Sequence, residues 1–254
     1  MIAPIAAAPL EPSAGWEPTL LRVGILPFEA GQVLPDAPCK AVVNALLLRG
    51  HGEVVLVDCG SGVVDHWWPG AAFLDEALTL AGAAADEVTC LVLTHLDFDH
   101  AGGALEGTWP DDVRPRFGRV VLLDDDLAWW RARTDDSLGA PLLAVLEPAG
   151  VVEPVADGAA FLPGLRLESA PGHRTGHAVV WIGDDLLHGA DILHHALHIE
   201  NPTWDFTFDQ EREVALATRR AWIDRLDGAS VDVVFSHVAE AGRIVAGHWQ
   251  PLAP

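Results

Sequence analysis

A chain of 254 residues, half of them apolar, is long enough for one large α/β domain with a sizeable core. Its 37 acidic against 15 basic side chains give a formal charge of −22, which argues against nucleic-acid or anionic-membrane partners, because both need a positive face. With no apolar run of about eighteen residues and no basic leader at the N-terminus, the expectation is a cytoplasmic protein.

Several short apolar runs each end at a turn bearing a side chain of metal-ligand type. In chain order they are EVVLVD, ending at Asp58; CLVLTH, at His95; LRLESAPGH, at His173; DLLHGAD, at Asp191; and VDVVFSH, at His237. In open α/β sheets such ends share one rim, where rigid backbone presents free side chains, so the layout predicts an active site. Between these strands, helices are expected over 71–85, over 124–133 with an acidic start, and over 208–226. In the last, Thr207 and Gln210 have capping-box spacing, Gly228 is the stop, and Val214, Ala217, Ala221 and Trp222 form the predicted core stripe. Cys39, Cys59 and Cys90 lack CxxC spacing and are expected to be free thiols. No repeat or linker divides the chain, so residues 1–254 are expected to form one domain.

The most informative segment is LVLTHLDFDHAGG, which sets His95, Asp97, Asp99 and His100 within six residues behind an apolar strand. Strand alternation sends His95, Asp97 and Asp99 to one side, and a turn beginning at Asp99 lets His100 swing to the same point. A lone histidine or aspartate at a strand end is usually a cap or a solvated turn residue. Four together point to a metal, with room for two cations. No Ser-His-Asp pattern or phosphate loop competes, since the GSG at 60–62 is too short for one.

The pattern His95-x-Asp97-x-Asp99-His100-x-Gly-Gly, followed by Pro171-Gly172-His173, Gly189-Ala190-Asp191 and Ser236-His237, resembles the metallo-β-lactamase superfamily over nearly the whole chain. The resemblance implies an α/β fold, a four-layered αβ/βα sandwich of two similar halves at about 1–118 and 119–254, with the metal site at the edge between the sheets. Carried over residue by residue, it implies that His95, Asp97 and His173 hold one divalent ion, that Asp99, His100 and His237 hold another, and that Asp191 bridges them. Zinc is the expected metal. Most members have histidine where this chain has Asp97, so its first site would be harder and more anionic, which brings in iron and manganese. Asp58, in LVDCG, matches a superfamily turn that orients neighbouring groups, and His177 is expected to buttress the site rather than bind metal.

The segment from Ala190 to Arg220, with EAGRI after His237, looks closest to hydrolases near the lactonase and methyl-parathion-hydrolase-like groups. In lactonases a tyrosine three residues after the bridging aspartate assists the leaving group. This chain has no tyrosine and places His194 there, which is therefore the expected proton donor or oxyanion partner, with His195 beside it. Trp67, Trp68, Trp129, Trp130, Trp204 and Phe206 lie in segments expected to overhang the site and to give it an apolar lining.

The expected activity is hydrolysis, with metal-bound hydroxide attacking a lactone or carboxylic ester that carries an apolar group and with Asp99 positioning the nucleophile. Phosphotriesters are expected as promiscuous substrates. Two other readings stand beside it: an iron-dependent oxidoreductase or oxygenase on the same fold, and a ligand-binding protein that has lost catalysis. The expected partner is a small-molecule substrate, without nucleic acid or membrane, and homodimer formation is left open.

Overall fold

The computed structural model describes residues 3, 5–67, 69–133 and 139–252, with backbone alone at 65 and 67. The first sheet opens with β1 (Ala6–Pro9), β2 (Trp16–Phe28), β3 (Cys39–Gly50), β4 (Glu53–Val57) and β5 (Cys90–Val92). A separate hairpin of β6 (Leu105–Thr108) and β7 (Asp112–Pro115) follows, and β8 (Val120–Leu123) and β9 (Val152–Val155) then extend the sheet beside β5. The second sheet runs in order through β10 (Ala160–Leu162), β11 (Leu165–Ser169), β12 (Ala178–Ile182), β13 (Leu186–His188), β14 (Asp232–Val234), β15 (Gly242–Val245) and β16 (His248–Pro251). The expected boundary near 118 therefore falls inside the first sheet. Parallel pairing of β8 with β5, and of β9 with β8, carries that sheet on to Val155.

Alternation along the strands builds the layers. Leu46, Leu48, Val55, Val57, Cys90, Val92, Val121 and Leu123 face the other sheet, where Leu165, Leu167, Ala178, Val180 and Ile182 meet them. Their sequence neighbours Ala45, Leu47, Leu56, Leu91, Val120 and Leu122 face outward onto helices α1 (Leu74–Leu80), α3 (Asp124–Arg131) and α4 (Gly139–Leu146). On the far side, Val179, Trp181, Leu187 and Val233 pack on α6 (Arg212–Leu226). Two sheets covered on both outer faces make a four-layered αβ/βα sandwich. Each large aliphatic side chain buried this way contributes about 1.5–3 kcal/mol. Two short helices, α2 (Phe98–Ala101) and α5 (Leu197–Glu200), lie at the rim. Among the described residues no helix is long and apolar enough to cross a membrane.

Several helices differ from their predicted extents. The first is shorter than 71–85, and α3 stops at Arg131. Helix α6 starts at Arg212 rather than 208, without a side-chain cap. Thr207 donates its hydroxyl to Gly31 O (3.0 Å), while the backbone N–H groups of Gln210 and Glu211 donate to the carbonyls of His173 and Gly172. Residues 207–211 are thus held by partners distant in sequence, which removes the capping box. The buried stripe is also rotated: Ala215, Arg219, Trp222, Ile223 and Leu226 are inside, Val214, Ala217 and Ala221 are exposed, and only Trp222 belongs to both stripes.

Arg219 explains the rotation, because a charged residue occupies a core position at helical spacing and conceals the stripe. It is 1% exposed and donates to Ile192 O (3.0 Å), Trp204 O (2.6 Å) and Asp209 Oδ2 (3.4 Å). Arg219→Met is expected to lower stability by about 3–5 kcal/mol in urea unfolding, since it leaves the Asp209 carboxylate buried without its cation. A change below about 1 kcal/mol would show that the pair carries no net stabilisation. Of the three cysteines, all free, Cys59 and Cys90 are buried and Cys39 is partly exposed.

Candidate metal centre

The strand ends named in the sequence converge on one rim, because β11, β13 and β14 run parallel to one another in their sheet, as do β4 and β5 in theirs. The acidic segment reaches the rim differently from expectation. Strand β5 ends at Val92, residues 93–97 are irregular, and Asp99 and His100 ride on α2, whose N-cap is Asp97. The ladder stops because the Asp58 carboxylate captures the next backbone N–H, that of Thr94 (2.9 Å), together with its hydroxyl. Asp58 itself has φ +58°, a left-handed conformation that aspartate tolerates. The acidic turn can pack on this loop only because residue 103 is glycine, where a Cβ would lie 2.2 Å from Cys59 O. Gly172 plays the same part for the His173 loop, with φ +124° and an added Cβ only 2.2 Å from Ala215 N on α6.

The histidine rings are aimed from behind. His100 donates from Nδ1 to Asp58 Oδ2 (2.8 Å), His173 from Nδ1 to Asp209 Oδ1 (3.1 Å), and His237 from Nδ1 to Val42 O (2.7 Å). His95 Nδ1 lies 3.0 Å from Thr94 Oγ1. Each ring therefore turns Nε2 inward. Asp191 sits at the centre, with its Oδ2 3.3 Å from His100 Nε2, 3.3 Å from His237 Nε2, 3.5 Å from His173 Nε2 and 3.0 Å from His194 Nε2. Asp99 Oδ2 lies 3.7 Å from His100 Nε2 and 3.6 Å from His237 Nε2, and Asp97 Oδ2 lies 3.3 Å from His173 Nε2 and 3.7 Å from His95 Nε2. The structure thus brings together both expected sets, His95/Asp97/His173 and Asp99/His100/His237, each with ligand atoms within 4.8 Å of one another.

The donor set fits divalent cations. His95 Nε2, His100 Nε2, His173 Nε2 and Asp191 Oδ1 are all buried without a hydrogen-bond partner. A buried polar atom left unpaired costs roughly 1–3 kcal/mol. Four in one cluster of imidazoles and carboxylates are the arrangement that coordination would satisfy. Electrostatics agree: burial would lower the His100 imidazole, but Asp191, Asp99 and Asp58 outweigh it and hold it well above its usual range, a measure of the anionic field.

Asp58 supports His100 from beneath, and Asp58→Asn keeps the left-handed turn while removing the charge. This variant is expected to weaken metal binding about 10–100-fold in competition with a chelator. Unchanged affinity would show that His100 does not depend on it. His177 buttresses the cluster with both ring nitrogens engaged, Nδ1 donating to Ala170 O (2.7 Å) and Nε2 accepting from Asp191 N–H (3.0 Å). Burial and the neighbouring His95 and His173 push its imidazole well below the usual range, so it stays neutral.

Above the cluster opens a cavity of about 150 Å³, walled by Leu26, Phe28, Phe98, Phe206 and Phe208, with Asp97, Asp99, His173, Arg174, Asp191 and His237 on its polar side. Among the described residues, Phe206 is the one predicted pocket aromatic that lines it. Trp129 and Trp130 line a neighbouring cavity with Arg133, Gln210, Asp97, Arg174 and Phe208. Trp204 stands off both, edge-on to His198 at 6.5 Å, while its carbonyl serves Arg219. The side chain of Trp67 and the whole of Trp68 lie outside the described residues.

His194 is fully buried, stacked on Phe206 with ring centroids 3.5 Å apart, and does not line the cavity wall. Its Nε2 holds Asp191 instead. His195 lies further out, with Nδ1 accepting the Leu197 N–H.

Three residues of the site gave no signal in sequence: Asp209, behind His173; Arg174, on Asp97; and Asp126, whose carboxyl is buried with no hydrogen-bond partner at either oxygen. Burial, then the nearby Asp97 charge, pushes Asp126 up to about 8, so it is mainly neutral at pH 7.

A sequence profile described as the metallo-beta-lactamase superfamily matches residues 41–237. Ribonuclease Z of Mycolicibacterium paratuberculosis (strain ATCC BAA-968 / K-10) is 28% identical over 175 residues, which cover 69% of this chain and 47% of that protein. Ribonuclease Z of Mycobacterium avium (strain 104) matches to the same extent, so the chain spans about half the length of these curated relatives. Among solved structures, the dizinc quorum-quenching lactonase AidC, bound to N-hexanoyl-L-homoserine as product, superposes with a TM-score of 0.83 over 99% of both chains at 19% identity. The hydrolase AbOPH gives 0.81 at 16% identity over 100% of this chain and 99% of its own.

Proposed function

The chain belongs to the metallo-β-lactamase superfamily, and from that premise we propose that it is a binuclear metal-dependent hydrolase opening lactones or carboxylic esters with an apolar group. The observation that carries this reading is the set of buried, unpartnered nitrogen and oxygen atoms of His95, His100, His173 and Asp191, of which His173 and Asp191 line a phenylalanine-walled cavity. His95, Asp97 and His173 would hold one divalent ion and Asp99, His100 and His237 the other, with Asp191 between them; zinc is the first choice and iron or manganese the second. When bound, the ions supply the Lewis acidity that makes water nucleophilic at neutral pH and polarises a carbonyl or phosphoryl oxygen.

The chain's own residues do the rest. Asp99 presents its carboxylate to the cavity, where it can accept a hydrogen bond from the attacking water and fix its direction. Asp58, Asp209 and the Val42 carbonyl hold three imidazoles in register, so little reorganisation is needed during reaction. The rings of Phe28, Phe98, Phe206 and Phe208 exclude water and suit an acyl chain. His194 acts as a positioning residue through Asp191 rather than as a proton donor.

The ribonuclease Z relatives favour a second reading, hydrolysis of a phosphate ester. The charge of −22 opposes an RNA substrate, which leaves small phosphotriesters as its test compounds. Zinc-loaded protein is expected to open acyl-homoserine lactones or aryl esters, monitored by proton release. Phosphotriester turnover alone would select the second reading, oxygen consumption by iron-loaded protein would select an oxidoreductase, and tight ligand binding without turnover would leave a binding protein.

A further inference from the structure

Arg174 follows His173 directly and forms a fork on Asp97: Nε to Oδ1 at 2.7 Å and Nη2 to Oδ2 at 2.5 Å. Its third nitrogen donates to His173 O (2.6 Å) and Phe208 O (2.7 Å), so the guanidinium is anchored to two backbone carbonyls as well as to the carboxylate. The side chain is 15% exposed, which limits screening of its charge by solvent. Asp97 Oδ2 is at once the arginine's partner and the oxygen facing His173 and His95.

The other set is built differently. Among the described residues, Asp99 faces only imidazoles, those of His100 and His237, and no arginine or lysine pairs with it. The two positions therefore differ in charge even though each contains one carboxylate and two histidines: Arg174 offsets Asp97, and Arg219 offsets the Asp209 behind His173, whereas Asp99 and the Asp58 behind His100 face no arginine or lysine among the described residues. A cation entering the Asp97 position meets a carboxylate that is already neutralised, and it meets a fixed positive charge hydrogen-bonded to that same oxygen. One entering the Asp99 position meets neither.

We propose that Arg174 is a built-in counter-cation that sets the affinity of the His95/Asp97/His173 position, so that the two positions fill in separate steps, with the Asp99/His100/His237 position first. This deepens the two-cation reading and rests on it. The consequence for chemistry is that the occupancy of the second cation, rather than its identity alone, becomes a property this chain controls through one side chain.

The test is a titration of the full chain with Co²⁺ followed by visible absorption, and with Zn²⁺ against a competing chelator, without reference to turnover. The wild type is expected to bind in two resolved steps. Arg174→Met is expected to tighten the last step, by about the 10–100-fold that outer partners of metal ligands command but in the opposite direction to the usual loss, because the partner removed is a cation, and to leave the first unchanged. Arg174→Lys keeps a charge beside Asp97 without the fork, and its last step is expected to stay weak. Asp97→Asn removes the anion and leaves the guanidinium unopposed, and the last step is expected to vanish.

Binding of both ions in one step, or an Arg174→Met titration identical to wild type, would overturn the proposal while leaving the two-cation reading intact. Equal tightening by Met and Lys would also overturn it, because it would trace the effect to a loosened loop rather than to charge. A wild-type protein that binds no metal would overturn both.

Discussion

Asp191→Asn is expected to lower kcat/KM for lactone or ester opening by more than about 100-fold, beyond what the loss of a supporting partner costs. The variant preserves shape and removes charge. That charge lies within 3.0–3.5 Å of Nε2 on His194, His100, His237 and His173, and among the described residues no other carboxylate oxygen meets so many rings. Burial would raise the Asp191 carboxyl, but His100, His237 and His194 outweigh it and keep it ionised well below the usual range. The same variant is expected to lose bound metal on gel filtration, measured by elemental analysis. Wild-type turnover with both ions retained would show that the central carboxylate is dispensable and that the proposed site is not the reacting one.

Removing metal is expected to have the larger effect on stability. A cation bound only by the folded chain, at a free concentration a thousand times its Kd, stabilises by about 4 kcal/mol. For a chain of this size, 1 kcal/mol moves the melting temperature by roughly 2–4 °C. Even the tighter position alone should thus separate loaded from chelator-treated protein by about 8–16 °C in a thermal melt. Restoring one equivalent of Zn²⁺ should recover most of that difference and the second equivalent less, because the Asp97 position is the weaker. Identical melts with and without chelator would mean that the cluster does not bind metal at the concentrations used.

The parts of the molecule that were legible in sequence are those in which local pattern and tertiary role coincide. The run His95 to His100 is dense enough to declare itself, and the apolar runs that end at Asp58, His95, His173, Asp191 and His237 mark the rim on which these residues meet. The path of the chain through that run was not legible: a strand was expected to deliver His95, but capture of the Thr94 amide by Asp58, 36 residues away, ends the ladder first. Arg219 hid the buried face of α6 because a charged side chain reads as solvent-facing until its three acceptors are known. Arg174 is 77 residues from Asp97, and nothing in PGHR announces which carboxylate it will meet. Among the described tryptophans, Trp129 and Trp130 line the neighbouring cavity with Asp97 and Arg174, and Trp204 stands off both. Ring size shows that a side chain will be buried or will cover something, whereas the course of the loop decides what.

Four of the seven inward-facing groups, His95, Asp97, Asp99 and His100, belong to the portion of the chain that forms the first sheet, and His173, Asp191 and His237 belong to the portion that forms the second. Asn44 on β3 stitches the two together, its side-chain amide donating to Phe235 O and Val238 O beside His237. On the ribosome, then, the growing chain would emerge with four of the seven groups and without His173, His237 and the central Asp191 carboxylate. On the proposed reading, binding of both ions would follow the meeting of the two sheets rather than precede it.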